Sequence, residues 1–278
     1  MKLSFYPGCS LEGMASDYAL SIHAVFKTLE IDLAEIDDWS CCGSTAAHSL
    51  DPFMSVALPA RNLSVAEKMD RDIVAPCAMC FNRLRYSQEM IKKGLFDSPW
   101  EMTGDIEIHD MTRFLANPAM IDLIRQRVSK PLRNVRIVSY YGCQMVRPPK
   151  ITGFTDYENP LTLDRIAEAI GATVIDWSYK STCCGASIGI ARKDIQEYLT
   201  QRLLLKAQQA GAEAIVVSCP LCQSNLDIFQ KNTDRFSIPV FYFTELLHLV
   251  FNENLSPKYF KKHITGPVPL LRRKGFFS

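Results

Sequence analysis

Short apolar runs alternate with longer amphipathic ones along the chain, and the whole alternation happens twice. Leu3 to Tyr6, Leu33 to Ile36 and Ile73 to Ala75 read as buried strands, and Ile137 to Tyr141, Thr173 to Ile175 and Ile215 to Val217 are their counterparts further on. Helical patterns fill the intervals. The clearest begins at Asp194, with Glu197 three residues later as a capping-box pair, presents Ile195, Tyr198, Leu199, Leu203 and Ala207 on one face, and stops at Gly211. Strands alternating with helices imply crossover units, hence an α/β fold of two tandem, duplicated Rossmann-like halves, each built on a parallel sheet.

Local matches support the duplication. Tyr6-Pro-Gly-Cys9 answers Tyr140-Tyr-Gly-Cys143, Asp38-Trp39-Ser40 answers Asp176-Trp177-Ser178, and Cys41-Cys-Gly-Ser44 answers Cys183-Cys-Gly-Ala186. The offset steps from 134 to 138 to 142, which locates two four-residue insertions in the second copy, one of them Tyr179 to Thr182. Met111 to Leu115 answers Phe243 to Leu247 more weakly. The chain therefore divides into a first half over residues 1–118, a linking helix over 119–133 that ends near Pro131, a second half over 134–250, and a basic tail over 251–278. The tail reads either as a solvated, poorly ordered end or as a strap for a partner subunit.

All ten cysteines obey this repeat. Each set places one cysteine after the first strand, a CCG triplet after the second and a CxxC after the third: Cys9, Cys41, Cys42, Cys77 and Cys80, then Cys143, Cys183, Cys184, Cys219 and Cys222. In parallel sheets ligands gather beyond the carboxyl ends of the strands, so five thiols distant in sequence converge on one rim. Composition narrows their use. With 278 residues, 47% hydrophobic content and a net charge of +1, the chain is globular and carries no basic excess for nucleic acid. It shows no signal-peptide pattern and no apolar run near the roughly 20 residues that span a bilayer. The expectation is a cytoplasmic protein, where thiols stay reduced and structural disulfides are disfavoured.

Three chemistries compete for the thiols. A structural zinc site closes with four ligands and leaves a fifth unused. Thiol–disulfide exchange at Cys77–Cys80 and Cys219–Cys222 leaves six cysteines unexplained. Iron–sulfur clusters, whose irons are held by cysteine thiolates, accommodate five. Gly43 and Gly185 suit a backbone that must bend around such a group.

The doubled C…CCG…CxxC pattern, with the opening Tyr6-Pro-Gly-Cys9-Ser10-Leu11, resembles the CCG-domain family, above all its heterodisulfide reductase B-subunit branch. The resemblance covers roughly residues 1–250 and implies two non-cubane 4Fe–4S clusters facing one another across a pseudo-twofold axis, one on each cysteine set. It implies reduction of a disulfide, the mixed disulfide of coenzymes M and B or a related small one, in methanogenesis. Each cluster would engage one substrate sulfur. Because that substrate is anionic, Lys180, Arg147 and Lys150 are candidate contacts, with a solvated loop cation as the ordinary reading of each. His48 is a candidate proton donor, with capping or packing as its ordinary role. Tyr6, Tyr140 and Tyr141 border the first cysteines, as core aromatics or as hydrogen-bond donors to sulfur.

No GxGxxG turn and no ferredoxin-type cysteine run supplies electrons. The resemblance implies a ferredoxin-like (C-type) subunit, a flavin-containing (A-type) subunit that bifurcates electrons, and hydrogenase or formate dehydrogenase modules upstream. Related CCG proteins have other substrates, so a non-catalytic iron–sulfur electron-transfer subunit of a flavin-dependent dehydrogenase complex is the second reading. A zinc-stabilised module is the third.

Overall fold

The computed structural model describes residues 1–44, 46–231 and 235–277. Two four-stranded sheets form, each entirely parallel. The first contains β1 (Lys2–Phe5), β2 (Asp32–Glu35), β3 (Ile73–Ala75) and β4 (Ile108–Asp110); the second contains β5 (Arg136–Tyr140), β6 (Thr173–Val174), β7 (Ala214–Val217) and β8 (Val240–Tyr242). Their orders, β2-β1-β3-β4 and β6-β5-β7-β8, are the same arrangement repeated. The inner strands are buried on both faces, which explains their unbroken apolar runs: all of β7 is buried, as are Leu3, Ser4 and Phe5 of β1.

The expected strands appear within a residue or two, and each sheet gains a fourth, β4 or β8, that the pattern did not announce. Each added strand has three residues and runs directly into a helix, Met111–Leu115 or Phe243–Phe251. So short a run carries too little alternation to read as a strand. The weak repeat match around Met111 and Phe243 marks these helices.

The halves embrace reciprocally. The first-half helix Gly8–Glu12, which carries Cys9, contacts the second-half helix Pro220–Gln230, while Ala78–Lys92 of the first half contacts Pro149–Thr152 of the second. Each CxxC helix thus lies against the segment at or beyond the other half's first cysteine, as a pseudo-twofold relation requires. Between these contacts the helix Ser16–Thr28 packs on Phe243–Phe251. There Tyr18 stacks on Tyr242 with ring centroids 4.0 Å apart, and Ser21 Oγ meets Thr244 Oγ1 at 2.6 Å. A single hydrophobic core runs through both halves.

Three local expectations need correction. The helix anticipated from Asp194 spans Lys193–Gln209, and its capping box does not form because the Asp194 carboxylate accepts from the Arg192 guanidinium instead, at 2.9 and 2.7 Å. Its buried stripe is Thr200, Leu203, Leu204 and Ala207, with Tyr198 63% exposed, although Gly211 does end it at φ +80°. The linking helix covers Pro118–Arg127, capped by Asn117, and stops short of Pro131 because the N–H groups of Ser129 and Lys130 donate to the Val250 carbonyl.

The tail is the third correction, being packed on the chain rather than loose. Phe260, Leu270 and Leu271 are buried against the chain's own core. His263 Nε2 lies 2.9 Å from Glu245 Oε1, and the Asp227 carboxylate accepts from Ile264 and Thr265 N–H at 2.8 and 2.7 Å. Burial works against a charge on His263, yet the Glu245 carboxylate prevails and raises its pKa. Among the described residues no helix is long and apolar enough to cross a membrane.

Candidate iron–sulfur site

Each cysteine set is assembled at the carboxyl edge of its sheet by three kinds of loop. Cys77 and Cys219 are the N-caps of the helices Ala78–Lys92 and Pro220–Gln230, and Cys80 and Cys222 follow in their first turns. Helix N-termini present unpaired N–H groups and a positive dipole end, which favour thiolate sulfur. The CxxC spacing sets both sulfurs of a pair against that end.

The first cysteine of each set follows a glycine that only glycine can be. Gly8 and Gly142 both adopt φ +68°, and a Cβ on either would stand 2.8 Å from the sulfur of Cys80 or Cys222 respectively. This steric requirement is the same in the two halves. Gly142→Ala is therefore expected to displace Cys222 and to lower the iron per chain measured on the anaerobically purified protein. The CCG glycines serve a different purpose. At positive φ, Gly43 and Gly185 turn their N–H groups back onto the sulfurs of Cys41 and Cys183, at 3.5 and 3.3 Å.

The tyrosines bordering the first cysteines are buried and hold loops in place; their hydroxyls do not go to sulfur. Tyr6 donates to the Ser40 carbonyl and Tyr140 to the Thr182 carbonyl, both at 2.6 Å, so each pins the residue just before its CCG triplet. Tyr141 donates to Asp164 at 3.0 Å.

Within the sets, the sulfurs of Cys9 and Cys41 are 3.9 Å apart, those of Cys42 and Cys80 3.5 Å, and those of Cys184 and Cys222 3.8 Å. None of the ten is in a disulfide. The sets also approach each other: Ala78 and Met79, the two residues between Cys77 and Cys80, line the same cleft as Cys219 and Cys222, and the Cys77 and Cys219 thiols shift one another's ionisation. Cys42, Cys77, Cys80, Cys184, Cys219 and Cys222 are buried, Cys143 and Cys183 half-buried, and Cys9 and Cys41 exposed.

Crowding decides how these thiols ionise. A hydrogen bond with Cys143 lowers Cys183 to about 6, and the partner is correspondingly raised. In the first set, hydrogen bonds from Cys42 and Cys9 lower Cys41, while Cys9 is raised and Cys42 is pushed up to about 11. Five like charges cannot coexist at such distances without a cation among them. Iron meets that need, and a soft, thiolate-only donor set matches iron–sulfur chemistry. A second-set cleft reaches the interface, bordered by Cys143, Cys183 and Cys184 and also by Ala78 and Met79 of the first half.

The other anticipated residues are distributed unevenly. Lys180 is 2% exposed, and its ammonium lies 2.9 Å from Asp164 and 3.2 Å from Asp176, so its charge is already balanced inside the protein. It is no open loop cation. Arg147 is exposed, with Nη2 3.3 Å from Ser181 Oγ, and Lys150 is exposed in the turn Pro149–Thr152. His48 sits on the surface with Nδ1 3.2 Å from Ser49 Oγ.

Two residues near the cysteines escaped the sequence reading. Asn82 is fully buried and donates across the interface to the carbonyls of Gln144 and Arg147, at 3.1 and 2.8 Å, fixing the loop beyond Cys143. Arg83 is half-buried one turn past Cys80. The available signal was their place, two and three residues after a CxxC on a helix.

Comparison with known proteins agrees with this geometry. Residues 3–85 and 137–227 each match the cysteine-rich domain known as CCG. The chain is 30% identical over 261 residues to the 8-methylmenaquinol:fumarate reductase membrane anchor subunit of Wolinella succinogenes, spanning 89% of this chain and 91% of that one. It is 28% identical over 266 residues to the B subunit of the ferredoxin:CoB-CoM heterodisulfide reductase of Methanosarcina mazei, covering 89% and 88%. A protein of Archaeoglobus profundus described as like the heterodisulfide reductase B subunit is 22% identical over 273 residues, covering 90% of each chain. With its two matched halves, its paired cysteine sets and relatives of nearly its own length, the chain belongs to the CCG cysteine-rich domain family and is similar to heterodisulfide reductase B subunits.

Proposed function

We propose that this chain is the disulfide-reducing subunit of a multi-subunit oxidoreductase, acting on CoM-S-S-CoB or a related small disulfide at two facing non-cubane 4Fe–4S clusters. Cys9, Cys41, Cys42, Cys77 and Cys80 hold one cluster, and Cys143, Cys183, Cys184, Cys219 and Cys222 hold the other. The observation that carries the reading is the cleft at the interface of the halves, bordered both by cysteines of the second set and by Ala78 and Met79, the two residues between Cys77 and Cys80 of the first.

Breaking a sulfur–sulfur bond to give two thiols consumes two electrons and two protons, and two clusters side by side supply one electron each. The protein's own task is to position. Tyr6 and Tyr140 fix the CCG loops, Asn82 fixes the loop after Cys143 across the interface, and Met79 with Ala78 lines the second-set cleft. Arg147 and Lys150, exposed beyond Cys143, are the proposed contacts for the anionic groups of the substrate. Electrons reach the chain from an iron–sulfur subunit and a flavin-containing subunit of the same complex.

One observation favours the second reading, an electron-transfer subunit without its own substrate: the similarity at 30% identity to a fumarate reductase subunit. A direct assay separates the two. The anaerobically purified, iron-loaded chain is given reduced methyl viologen and CoM-S-S-CoB, and free thiols are counted. Release of two thiols per two viologens oxidised is the result expected for the reductase. An iron-loaded chain that is reduced by viologen yet releases no thiol supports the relay.

A further inference from the structure

The two sites have the same five ligands but not the same charge around them. Adding the repeat offset of 142 to Arg83 gives Asn225, so an arginine and a neutral amide occupy equivalent positions, each three residues beyond the last cysteine of its set. Both lie on the helix that carries the CxxC of their set, and Asn225 also reaches the second cysteine of its CCG triplet. Asn225 does so with Nδ2, which donates to the Cys184 carbonyl at 2.8 Å and to Thr200 Oγ1 at 2.9 Å.

Arg83 offers a full positive charge instead. Its Nη2 donates to Asn82 Oδ1 at 3.1 Å and its guanidinium lies 4.7 Å from the centre of the Tyr86 ring. Among the described residues no carboxylate lies within ion-pair distance of it. It sits half-buried on the Cys77–Cys80 helix, one turn past Cys80, and burial lowers its pKa. The cations nearest the second set in sequence stand differently. Lys180 is neutralised by Asp164 and Asp176, and Arg147 is exposed, where water and salt screen it.

We infer that Arg83 is a tuning residue: its unpaired cation raises the reduction potential of the cluster on the Cys9 set above that of the cluster on the Cys143 set, so that the first half takes up the first electron. The physical reason is that reduction adds one negative charge to a cluster, and a nearby half-buried cation stabilises the product more than the reactant. Twin ligand sets thereby become an ordered pair. The inference rests on the two-cluster reading proposed above.

The test is an EPR-monitored titration with dithionite and mediators on the purified full chain, preceded by iron and sulfide analysis. In the wild-type chain two one-electron transitions are expected. Arg83→Gln and Arg83→Met are expected to lower one midpoint by about a tenfold change in its equilibrium constant, about 59 mV for one electron, and to leave the other in place. Arg83→Lys, which keeps the charge but loses the planar contact with Asn82, is expected to hold the wild-type midpoints. Wild-type protein without iron would defeat the two-cluster reading itself. With iron retained, unmoved midpoints in the neutral variants, equal movement of both midpoints, or a shift in Arg83→Lys as large as in Arg83→Gln would overturn the tuning role. Loss of iron from both neutral variants would also overturn it, by assigning Arg83 to folding alone.

Discussion

Replacing Cys184 by Ala is expected to abolish disulfide reduction and to lower the iron content from about eight per chain to about four, while the protein remains folded. Cys184 is 4% exposed, and its sulfur lies 3.8 Å from that of Cys222. Its backbone is secured independently of its side chain, because the Cys184 carbonyl accepts from Asn225 Nδ2 and from Thr200 Oγ1 at 3.1 Å. The substitution removes one buried sulfur from a well-supported loop, at a cost on the order of 1 kcal/mol. What disappears is a proposed cluster ligand. With one cluster lost, a two-electron cleavage that depends on both has no second electron at hand, so the decline in turnover should far exceed the halving of iron. Metal analysis, thiol-release assay and thermal unfolding on the same preparation check the three parts. Full turnover with full iron in Cys184→Ala would refute the ligand assignment.

Lys180→Met carries the second large effect, and it falls on stability rather than on substrate. The Lys180 ammonium and the Asp164 carboxylate, both buried, lie 2.9 Å apart, and Asp164 also accepts from the Tyr141 hydroxyl. Tyr141 and Gly142 N–H donate to the Lys180 carbonyl, so this network holds the strand end that leads into Cys143. Removing the cation alone leaves a buried carboxylate without its partner, which costs about 3–5 kcal/mol. Denaturant unfolding should show that loss, and Lys180→Met combined with Asp164→Asn should recover much of it, since the stranded charge is gone. A Lys180 that served chiefly as a substrate contact would give the opposite pattern, a raised KM at unchanged stability.

Much of the fold was legible because the duplication samples each feature twice. A three-residue run such as Ile73–Ala75 says little alone, but the same run before a second CxxC fixes both as strands, and parallel-sheet topology then brings all cysteines to one edge. Legibility failed where a distant partner decides the outcome. The tail looks polar and basic in sequence, yet its few apolar residues and His263 find partners on Phe243–Phe251 and near Asp227. Lys180 likewise resembled a loop cation because neither Asp164 nor Asp176 is identifiable as its counter-ion from spacing alone. Tyr198 fits a helical stripe but lies outside it, since which face of Lys193–Gln209 is covered depends on the half that packs there. The Arg83–Asn225 contrast was readable from the repeat, once the register around the CxxC motifs was extended by three residues.

Iron, zinc and acid-labile sulfide measured together on anaerobically purified full-length chain test the central claim most directly, because two 4Fe–4S clusters on ten thiolates fix all three values. About eight irons with matching sulfide and negligible zinc is the result expected. One or two zincs per chain with no labile sulfide would contradict it.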